Sequence, residues 1–272
     1  MWKYLDRFFV FILARPRLQK INRYVFLLAL KTLGYNNFEN ARISGEDYLI
    51  DRIARTDPVL LIDIGANKGS YTRLLLEKTN SAVISFEPLP AAFHVLSNLQ
   101  DEFGDRLYLI NKGLGGKEET LEFFYGSEDS ELAHFGAEVQ EIPYVFSQSG
   151  NSVFLDVTTL DNYFSNLPKG KFSRIDLIKI DTEGFEFEVL SGSLKTIEEF
   201  QPRFIQIEFN LHHLFRGHTL HKIAKLLPDY EIYQLLPFSN GTIKRLSISP
   251  ESNVFQYSNF VFVLNGYQDV IS

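Results

Sequence analysis

The sequence contains no cysteine and no long hydrophobic run. Disulfides, thiolate nucleophiles and cysteine-ligated zinc are therefore excluded, while the redox compartment stays open. The apolar segments 8–14 and 25–30 are far shorter than the roughly 20 residues that a membrane-spanning helix needs. The first segment runs into Arg15-Pro16-Arg17 without a small-residue cleavage site, which argues against a signal peptide. We expect a cytoplasmic protein.

Positive charge is scarce overall but concentrated at the start of the chain. The 27 Lys and Arg residues face 34 Asp and Glu residues, which gives a net charge of −7. This balance argues against nucleic acid as an obligatory partner, because phosphate binding needs clustered basic side chains. Residues 1–24 carry six basic residues and one acidic residue, a local charge of +5, so the rest must carry −12 to reach −7. Such a segment either touches an anionic membrane weakly or is a solvated helix face.

The hydrophobic pattern changes near residue 55. Apolar positions at helical spacing in residues 1–55 predict an extension of two or three helices, packed on the domain or on a second copy in a homo-oligomer. Residues 56–272 alternate short apolar runs with amphipathic stretches, as buried parallel strands connected by helices do. The apolar runs are 59–64, 82–86, 107–110, 175–180, 204–209, 231–236 and 259–264. We predict a Rossmann-like α/β fold whose seven-stranded, mainly parallel sheet is flanked by helices and has an antiparallel last strand.

Two segments depart from this alternation of apolar runs and amphipathic stretches. Residues 120–125 and 152–157 alternate in the manner of antiparallel strands. They flank the polar, acidic segment 126–151, which predicts a long excursion over the mouth of the sheet.

A glycine-containing turn follows the first predicted strand, in residues 61–70 (LIDIGANKGS). Gly65 and Gly69 allow positive φ and a close approach of the backbone to a ligand. The spacing is D-x-G-x-x-x-G rather than the G-x-G-x-x-G of dinucleotide sites. A carboxylate at Asp63 would repel a pyrophosphate but suits an ammonium group, such as that of S-adenosylmethionine. The turn therefore favours a methyl donor over NAD.

An acidic residue, Glu87, ends the next predicted strand. In α/β nucleotide sites an acid at this place accepts hydrogen bonds from the ribose hydroxyls. The alternative is an exposed loop carboxylate. Together with the glycine turn, the pattern favours the ribose role.

In a third block, residues 178–186 (IKIDTEGFE), carboxylates follow the end of another predicted buried strand. Asp181 and Glu183 are two residues apart, so their side chains point the same way in an extended chain. Lys179 is close enough in sequence to keep them ionised. The alternative is that these acids only stabilise a helix N-terminus.

The motifs D-I-G-A-N-K-G, F-E-P and K-I-D-T-E-G-F-E-x-x-V-L-S-G, in this order, resemble the FkbM-type family of S-adenosylmethionine-dependent methyltransferases. The likeness covers about residues 59–210. It implies a class I methyltransferase fold and O-methylation of sugars or other hydroxyl-bearing compounds. It also implies that S-adenosylmethionine is the cofactor and that contacts come from Asp63, Gly65, Gly69 and Glu87. Asn67 in the same turn is a further candidate.

The adenine contact and the general base are less sharply marked. Asn111 either accepts a hydrogen bond from the adenine amino group through its amide oxygen or is an ordinary turn asparagine. An alcohol is a weak nucleophile, so a general base is expected. The candidates are Asp181, Glu208, His212 and His213, although each histidine also fits a structural or surface role.

A metal site is not predicted, because no compact ligand motif is present. The spacing of His218 and His221, with Asp181 and Glu208, leaves a divalent-ion site open as an alternative.

We predict an O-methyltransferase acting on a sugar, glycan or similar small polar acceptor, with Asp181, Glu208 and His212 as catalytic residues. The alternatives are an NAD-dependent oxidoreductase and a non-catalytic carbohydrate-binding or scaffold protein with the same fold, since a fold alone does not decide function.

Overall fold

The structure, a computed structural model, describes residues 2–125, 134–135 and 151–272 and is built on a central sheet. In chain order the described strands are β1 Leu60–Ile64, β2 Ala82–Phe86, β3 Leu107–Ile110, β4 Gly113–Leu114, β5 Glu119–Tyr125, β6 His134–Phe135, β7 Asn151–Thr158, β8 Leu177–Ile180, β9 Phe204–Phe209, β10 Tyr230–Leu235, β11 Thr242–Arg245 and β12 Ser258–Leu264. The central sheet has the order β3-β2-β1-β8-β9-β12-β10-β11. β1, β2, β3, β8 and β9 pair in parallel, whereas β12 runs antiparallel to both β9 and β10. The mainly parallel α/β sheet with a reversed last strand is therefore confirmed.

Helices connect these strands and precede them. The described α-helices are α1 Trp2–Leu13, α2 Gln19–Thr32, α3 Ala41–Ser44, α4 Glu46–Ala54, α5 Ser70–Lys78, α6 Pro90–Ser97, α7 Leu99–Phe103, α8 Leu160–Ser165, α9 Glu186–Ser191, α10 Leu194–Phe200, α11 Leu211–Phe215 and α12 Leu220–Ala224. The described residues 2–55 thus hold four α-helices and one short 3₁₀ helix, Pro16–Leu18, where two or three helices were predicted. Among the helices of the described ranges, none has the length and apolar character to cross a bilayer.

The central sheet has one strand more than predicted. After β10 the chain turns back as β11, which pairs antiparallel with β10 from Leu235 opposite Thr242 to Ile232 opposite Arg245. Two of the four β11 residues are exposed and none is fully buried. An edge strand of this kind needs no apolar run, so its sequence carries no strand signal.

The core lies on both faces of the sheet because consecutive strand residues point to opposite sides. Leu60, Ile62 and Ile64 of β1 enter one hydrophobic cluster, and Leu61 enters the other. Ile50 of α4 is fully buried in the cluster that holds Leu61. Part of the N-terminal segment therefore packs against the sheet, and the domain boundary near residue 55 stays a prediction.

A second, smaller sheet has the order β4-β7-β5-β6. β5 pairs antiparallel with β7, with Leu121 opposite Leu155, as the alternating patterns predicted. The excursion predicted for residues 126–151 lies almost entirely outside the described residues.

Candidate active site

A cavity of about 760 Å³ opens at the carboxyl ends of the parallel strands. Gly65 follows β1, Glu87 follows β2 and Asp181 follows β8, and all three line the cavity together with Glu208 of β9. This is the edge at which open parallel sheets bind ligands. Tertiary structure thus brings the three sequence blocks to one place.

The turn after β1 approaches β8 so closely that it requires glycine. Gly65 has a φ of 79°, and a Cβ there would lie 1.8 Å from the carbonyl oxygen of Asp181. The backbone N–H groups of Gly65 and Ala66 both donate to the carbonyl of Phe86 at 3.0 Å. Asn67 adopts a left-handed φ of 49° and, like Gly65, lines the cavity. Both residues are placed where backbone and ligand can meet.

Gly69 is the N-cap of α5 with a φ of 90°, and a Cβ there would lie 2.7 Å from Leu96 Cδ1 and 2.9 Å from Leu99 Cδ1. The absence of a side chain at Gly69 therefore lets α5 pack closely against α6 and α7. Its neighbours Lys68 and Ser70 line the cavity, and a backbone contact of Gly69 with the cofactor stays a prediction.

The side chain of Asp63 is fully buried beneath the turn, where Oδ2 accepts a hydrogen bond from Thr72 Oγ1 at 2.6 Å. Oδ1 lies 3.6 Å from Lys179 Nζ. Burial raises the pKa of Asp63, and Lys179 only partly offsets this effect. Asp63 therefore links α5 to β8, and its predicted contact with the ammonium group of the cofactor stays a prediction.

Glu87 supports the turn and faces the cavity. Its Oε2 accepts the backbone N–H of Asn67, and its Oε1 accepts that of Leu89, each at 2.8 Å. Burial raises the pKa of Glu87 to about 7, although both N–H groups favour the charged form. A carboxylate has about four acceptor positions, so two N–H donors leave capacity for a pair of hydroxyl groups. The alternative of an exposed loop carboxylate is wrong, because the residue is 6% exposed.

Asn111 stabilises the loop that carries Glu87. Its Nδ2 donates to the carbonyl oxygens of Glu87 at 2.8 Å and Pro88 at 3.1 Å. This geometry matches the turn interpretation, while the amide oxygen is not engaged by these two hydrogen bonds, so the adenine contact stays a prediction.

Carboxylates gather at the other end of the cavity. Asp181, Glu183 and Glu208 each offer an oxygen within 4.8 Å of the others. Asp181 Oδ2 accepts a hydrogen bond from the buried Lys179 Nζ at 3.0 Å. Burial alone would lower the pKa of Lys179, but the charges of Asp181, Asp63 and other acids raise it. Within the described residues this acidic cluster is the group that could hold a divalent ion through oxygen ligands.

Asn210 connects two members of the cluster. Its Nδ2 donates to Glu208 Oε1 at 2.7 Å and to Glu183 Oε2 at 3.0 Å. Burial, followed by the charges of Asp181 and Glu183, raises the pKa of Glu208 well above its ordinary value. Glu208 therefore holds a proton tightly, because several negative charges share a buried site.

His212 joins the cluster from α11. Its Nδ1 lies 3.0 Å from Glu183 Oε2, and the imidazole lines the cavity. Burial alone would lower the pKa of His212, but the hydrogen bond and charge of Glu183 raise it. A histidine oriented by a carboxylate is a common arrangement for a general base.

The other histidines do not assemble a metal site. His213 is fully buried, with Nε2 2.9 Å from Glu186 Oε2 and Nδ1 accepting the N–H of Asn210 at 3.3 Å. The ring of His218 lies 4.5 Å from that of Phe187, and His221 Nδ1 lies 3.1 Å from Ser247 Oγ. The alternative of a histidine-rich metal site is therefore wrong for these described residues, because their rings face separate partners.

Sequence motifs missed the cavity residues that come from the two ends of the chain. Glu46 of α4 accepts a hydrogen bond from Gln206 Nε2 at 2.9 Å, and burial raises its pKa. Asn36, Phe38 and Tyr257 also line the cavity. These residues lie outside the three sequence blocks. The sequence offers one indication of the region around residue 36, namely the two consecutive asparagines Asn36 and Asn37, which are typical of a turn.

The sheet order, the glycine turn and the acid after β2 agree with the class I fold of S-adenosylmethionine-dependent methyltransferases. Residues 63–233 match the model of the methyltransferase FkbM domain, so the chain belongs to the FkbM methyltransferase family. This confirms the predicted family and S-adenosylmethionine-dependent methyl transfer. It decides against the NAD-dependent oxidoreductase and the non-catalytic alternatives.

Several proteins that are similar to this chain are described as methyltransferases. The 2-O-methyltransferase NoeI of Sinorhizobium fredii is 25% identical over 200 residues, which are 70% of this chain and 79% of NoeI. Methyltransferase 1 of Beauveria bassiana is 27% identical over 148 residues, 50% of this chain and 59% of that protein. The structure of a putative O-methyltransferase from Klebsiella pneumoniae has 11% identity, covers 97% of each chain and gives a TM-score of 0.46.

Proposed function

We propose that this methyltransferase transfers the methyl group of S-adenosylmethionine to a hydroxyl group of a sugar, glycan or similar small polar acceptor. The observation that carries the proposal is the pairing of His212 with Glu183 inside the acidic end of the cavity. Such a pair can accept the proton of an alcohol, whereas an ionised carboxylate acceptor has no proton to lose.

The two ends of the cavity suit the two parts of the cofactor. Glu87 would accept hydrogen bonds from the ribose hydroxyls, and the turn at Gly65 and Asn67 would lie against the cofactor through its backbone. The carboxylate of Asp181 would face the cationic sulfonium and ammonium groups, with the protonated Glu208 beside it. Opposite charges attract strongly in a partly buried site, so the acidic end favours the charged donor over its neutral product.

The reaction needs a proton acceptor and an aligned hydroxyl. The hydroxyl oxygen attacks the sulfonium methyl, the S–CH₃ bond breaks, and S-adenosylhomocysteine leaves as a neutral thioether. We assign the hydroxyl proton to His212, with Glu183 as the group that orients the imidazole. Asp181, fixed by Lys179, would orient the hydroxyl, because alignment contributes much of the rate in such a transfer.

The wall of the cavity next to the acidic end supports a polar, ring-shaped acceptor. Phe38, Phe255 and Tyr257 offer aromatic faces, and Asn36 and Gln256 offer amide groups. Aromatic faces pack against the apolar side of a sugar, while amides pair with its hydroxyls. The name of NoeI, a 2-O-methyltransferase, agrees with a hydroxyl acceptor.

Two measurements test the proposal. Calorimetry should show binding of S-adenosylmethionine and S-adenosylhomocysteine and none of NAD. Methyl-labelled donor should then be incubated with sugar nucleotides, glycosides, amines and carboxylic acids. We expect alkali-stable label on a hydroxyl, reduced in a His212→Gln variant. Label found only on amines, or only as alkali-labile methyl esters, would contradict the proposed acceptor.

A further inference from the structure

The first two helices expose large apolar side chains to solvent. The side chains of residues 8–13 in α1 are between 40% and 71% exposed. Ile21, Tyr24, Val25 and Leu28 of α2 are between 51% and 69% exposed. Contiguous exposed apolar patches of this kind mark interaction surfaces in proteins that otherwise bury such residues.

The apolar stripe of α2 points away from the protein. Ile21, Tyr24, Val25 and Leu28 follow the spacing i, i+3, i+4, i+7, which places them on one helix face. Leu30, at about 100° per residue, falls on the opposite face and is buried in the core. Phe26 and Leu27, which lie off the stripe, are also exposed, at 58% and 39%, so α2 exposes apolar surface beyond the stripe as well.

The charged residues near the stripe indicate what kind of surface would cover it. Arg15 and Arg17 lie between the two helices, Lys20 lies in the first turn of α2 beside the stripe, and Asp6 is the one acid of residues 1–24. A second copy would bring these cations against one another, whereas an anionic lipid surface complements them. Basic side chains beside apolar ones are the pattern of helices that lie in a membrane interface. The rest of the chain, with its charge of −12, would be repelled and would orient the molecule.

We propose that α1 and α2 dock the protein on an anionic lipid bilayer. The docked segment is joined to the cavity by hydrogen bonds. Tyr35, directly after α2, donates through its hydroxyl to the carbonyl of Glu251, and the N–H of Asn36 donates to the carbonyl of Tyr257 at 2.8 Å. Because Asn36 and Phe38 line the cavity, the bilayer-bound helix continues into the cavity wall.

Co-sedimentation of the full chain with vesicles tests this proposal. We expect binding to mixed phosphatidylglycerol–phosphatidylcholine vesicles at low salt, and much weaker binding to phosphatidylcholine alone. The double variant Arg15→Ala/Arg17→Ala should bind the anionic vesicles about 25-fold more weakly, since each cation near the surface contributes about fivefold. Val25→Ser/Leu28→Ser should also lose binding. Val95→Ser/Leu194→Ser, which changes exposed apolar side chains on α6 and α10, should bind like the wild type.

The controls separate docking from misfolding and from self-association. Each variant should melt at the wild-type temperature and bind S-adenosylhomocysteine equally. No wild-type binding to anionic vesicles at low salt would overturn the proposal, as would equal losses in the α6/α10 control. Sedimentation velocity without lipid gives the third outcome: a dimer that Val25→Ser/Leu28→Ser dissociates would make the stripe an interface between copies and would also overturn it.

Discussion

Replacing Glu87 by glutamine changes the charge of the cavity while keeping its volume. Burial raises the pKa of Glu87 to about 7, so the wild-type carboxylate gains and loses its proton within the range of ordinary assays. Only the ionised form can accept a hydrogen bond at every position that Asn67, Leu89 and the ribose occupy. We therefore expect cofactor affinity to depend on the ionisation of Glu87.

The expected magnitude follows from that pKa of about 7. The ionised fraction falls from about nine tenths at pH 8 to about one tenth at pH 6, which should weaken S-adenosylhomocysteine binding about tenfold, or about 1.4 kcal/mol. Loss of a charge-assisted hydrogen bond costs about 1.5–3 kcal/mol. Glu87→Gln should therefore bind about 10- to 150-fold more weakly at pH 8, with little further change down to pH 6.

Stability should change with pH in the opposite sense to a salt-bridged acid. The folded-state pKa of Glu87 lies above the ordinary value of 4.5, so the folded protein binds this proton more tightly than the unfolded chain does. Glu87 therefore destabilises the fold increasingly as the pH rises from about 4.5 to about 7, by up to about 3 kcal/mol. Glu87→Gln should remove that slope, although one backbone N–H loses its acceptor.

Calorimetric titration of S-adenosylhomocysteine at pH 6, 7 and 8 measures the affinities, and urea unfolding at the same pH values measures the slope in stability. Glu77→Gln is the matched control, because Glu77 is exposed on α5 and pairs with Arg73. It should keep the wild-type affinity and pH dependence. The reasoning is refuted if Glu87→Gln binds like the wild type, or if its affinity still falls tenfold between pH 8 and pH 6.

Three further variants test the geometry of the site. Gly65→Ala should lower the free energy of unfolding in urea by clearly more than Gly170→Ala, because both glycines have positive φ but only Gly65 would bring a Cβ against Asp181; equal losses would contradict the steric argument. Asp181→Asn should keep the fold and lose far more turnover than cofactor affinity, as measured by label transfer beside calorimetry, and full activity would remove its proposed role. His212→Gln should lower kcat by about 10²- to 10⁴-fold. At saturating S-adenosylmethionine, where the ionisation of Glu87 no longer limits cofactor binding, the kcat of the wild type should rise with pH through a pKa above the usual histidine value, because His212 must lose its proton, and this rise should be absent from the variant.

Local sequence was sufficient for the buried strands of the central sheet and for the family, but not for the edge strand β11 or the number of N-terminal helices. β1 is buried on both faces, so its residues are apolar except for the buried Asp63, and Gly65 marks the turn. The acids Glu87, Asp181 and Glu208 end strands of one parallel sheet, and this topology alone brings them to one edge. These features depend on neighbours in the chain or on the regular geometry of a sheet, which a sequence pattern encodes directly.

Tertiary structure decided which of those residues face the cavity and which support it. Asp63 and Gly69 belong to the same turn as Gly65, yet one is buried against Thr72 and the other packs under Leu96. The spacing of residues along a turn does not specify the direction in which a side chain points. It also does not specify what lies where a glycine lacks a Cβ. The contributions of Glu46 and Tyr257 arise from contacts between distant segments, and the raised pKa of His212 comes from the charge of a residue on another element. Burial and charge of this kind exist only once the chain is folded, and so the chemistry of the site was beyond what the order of residues could determine.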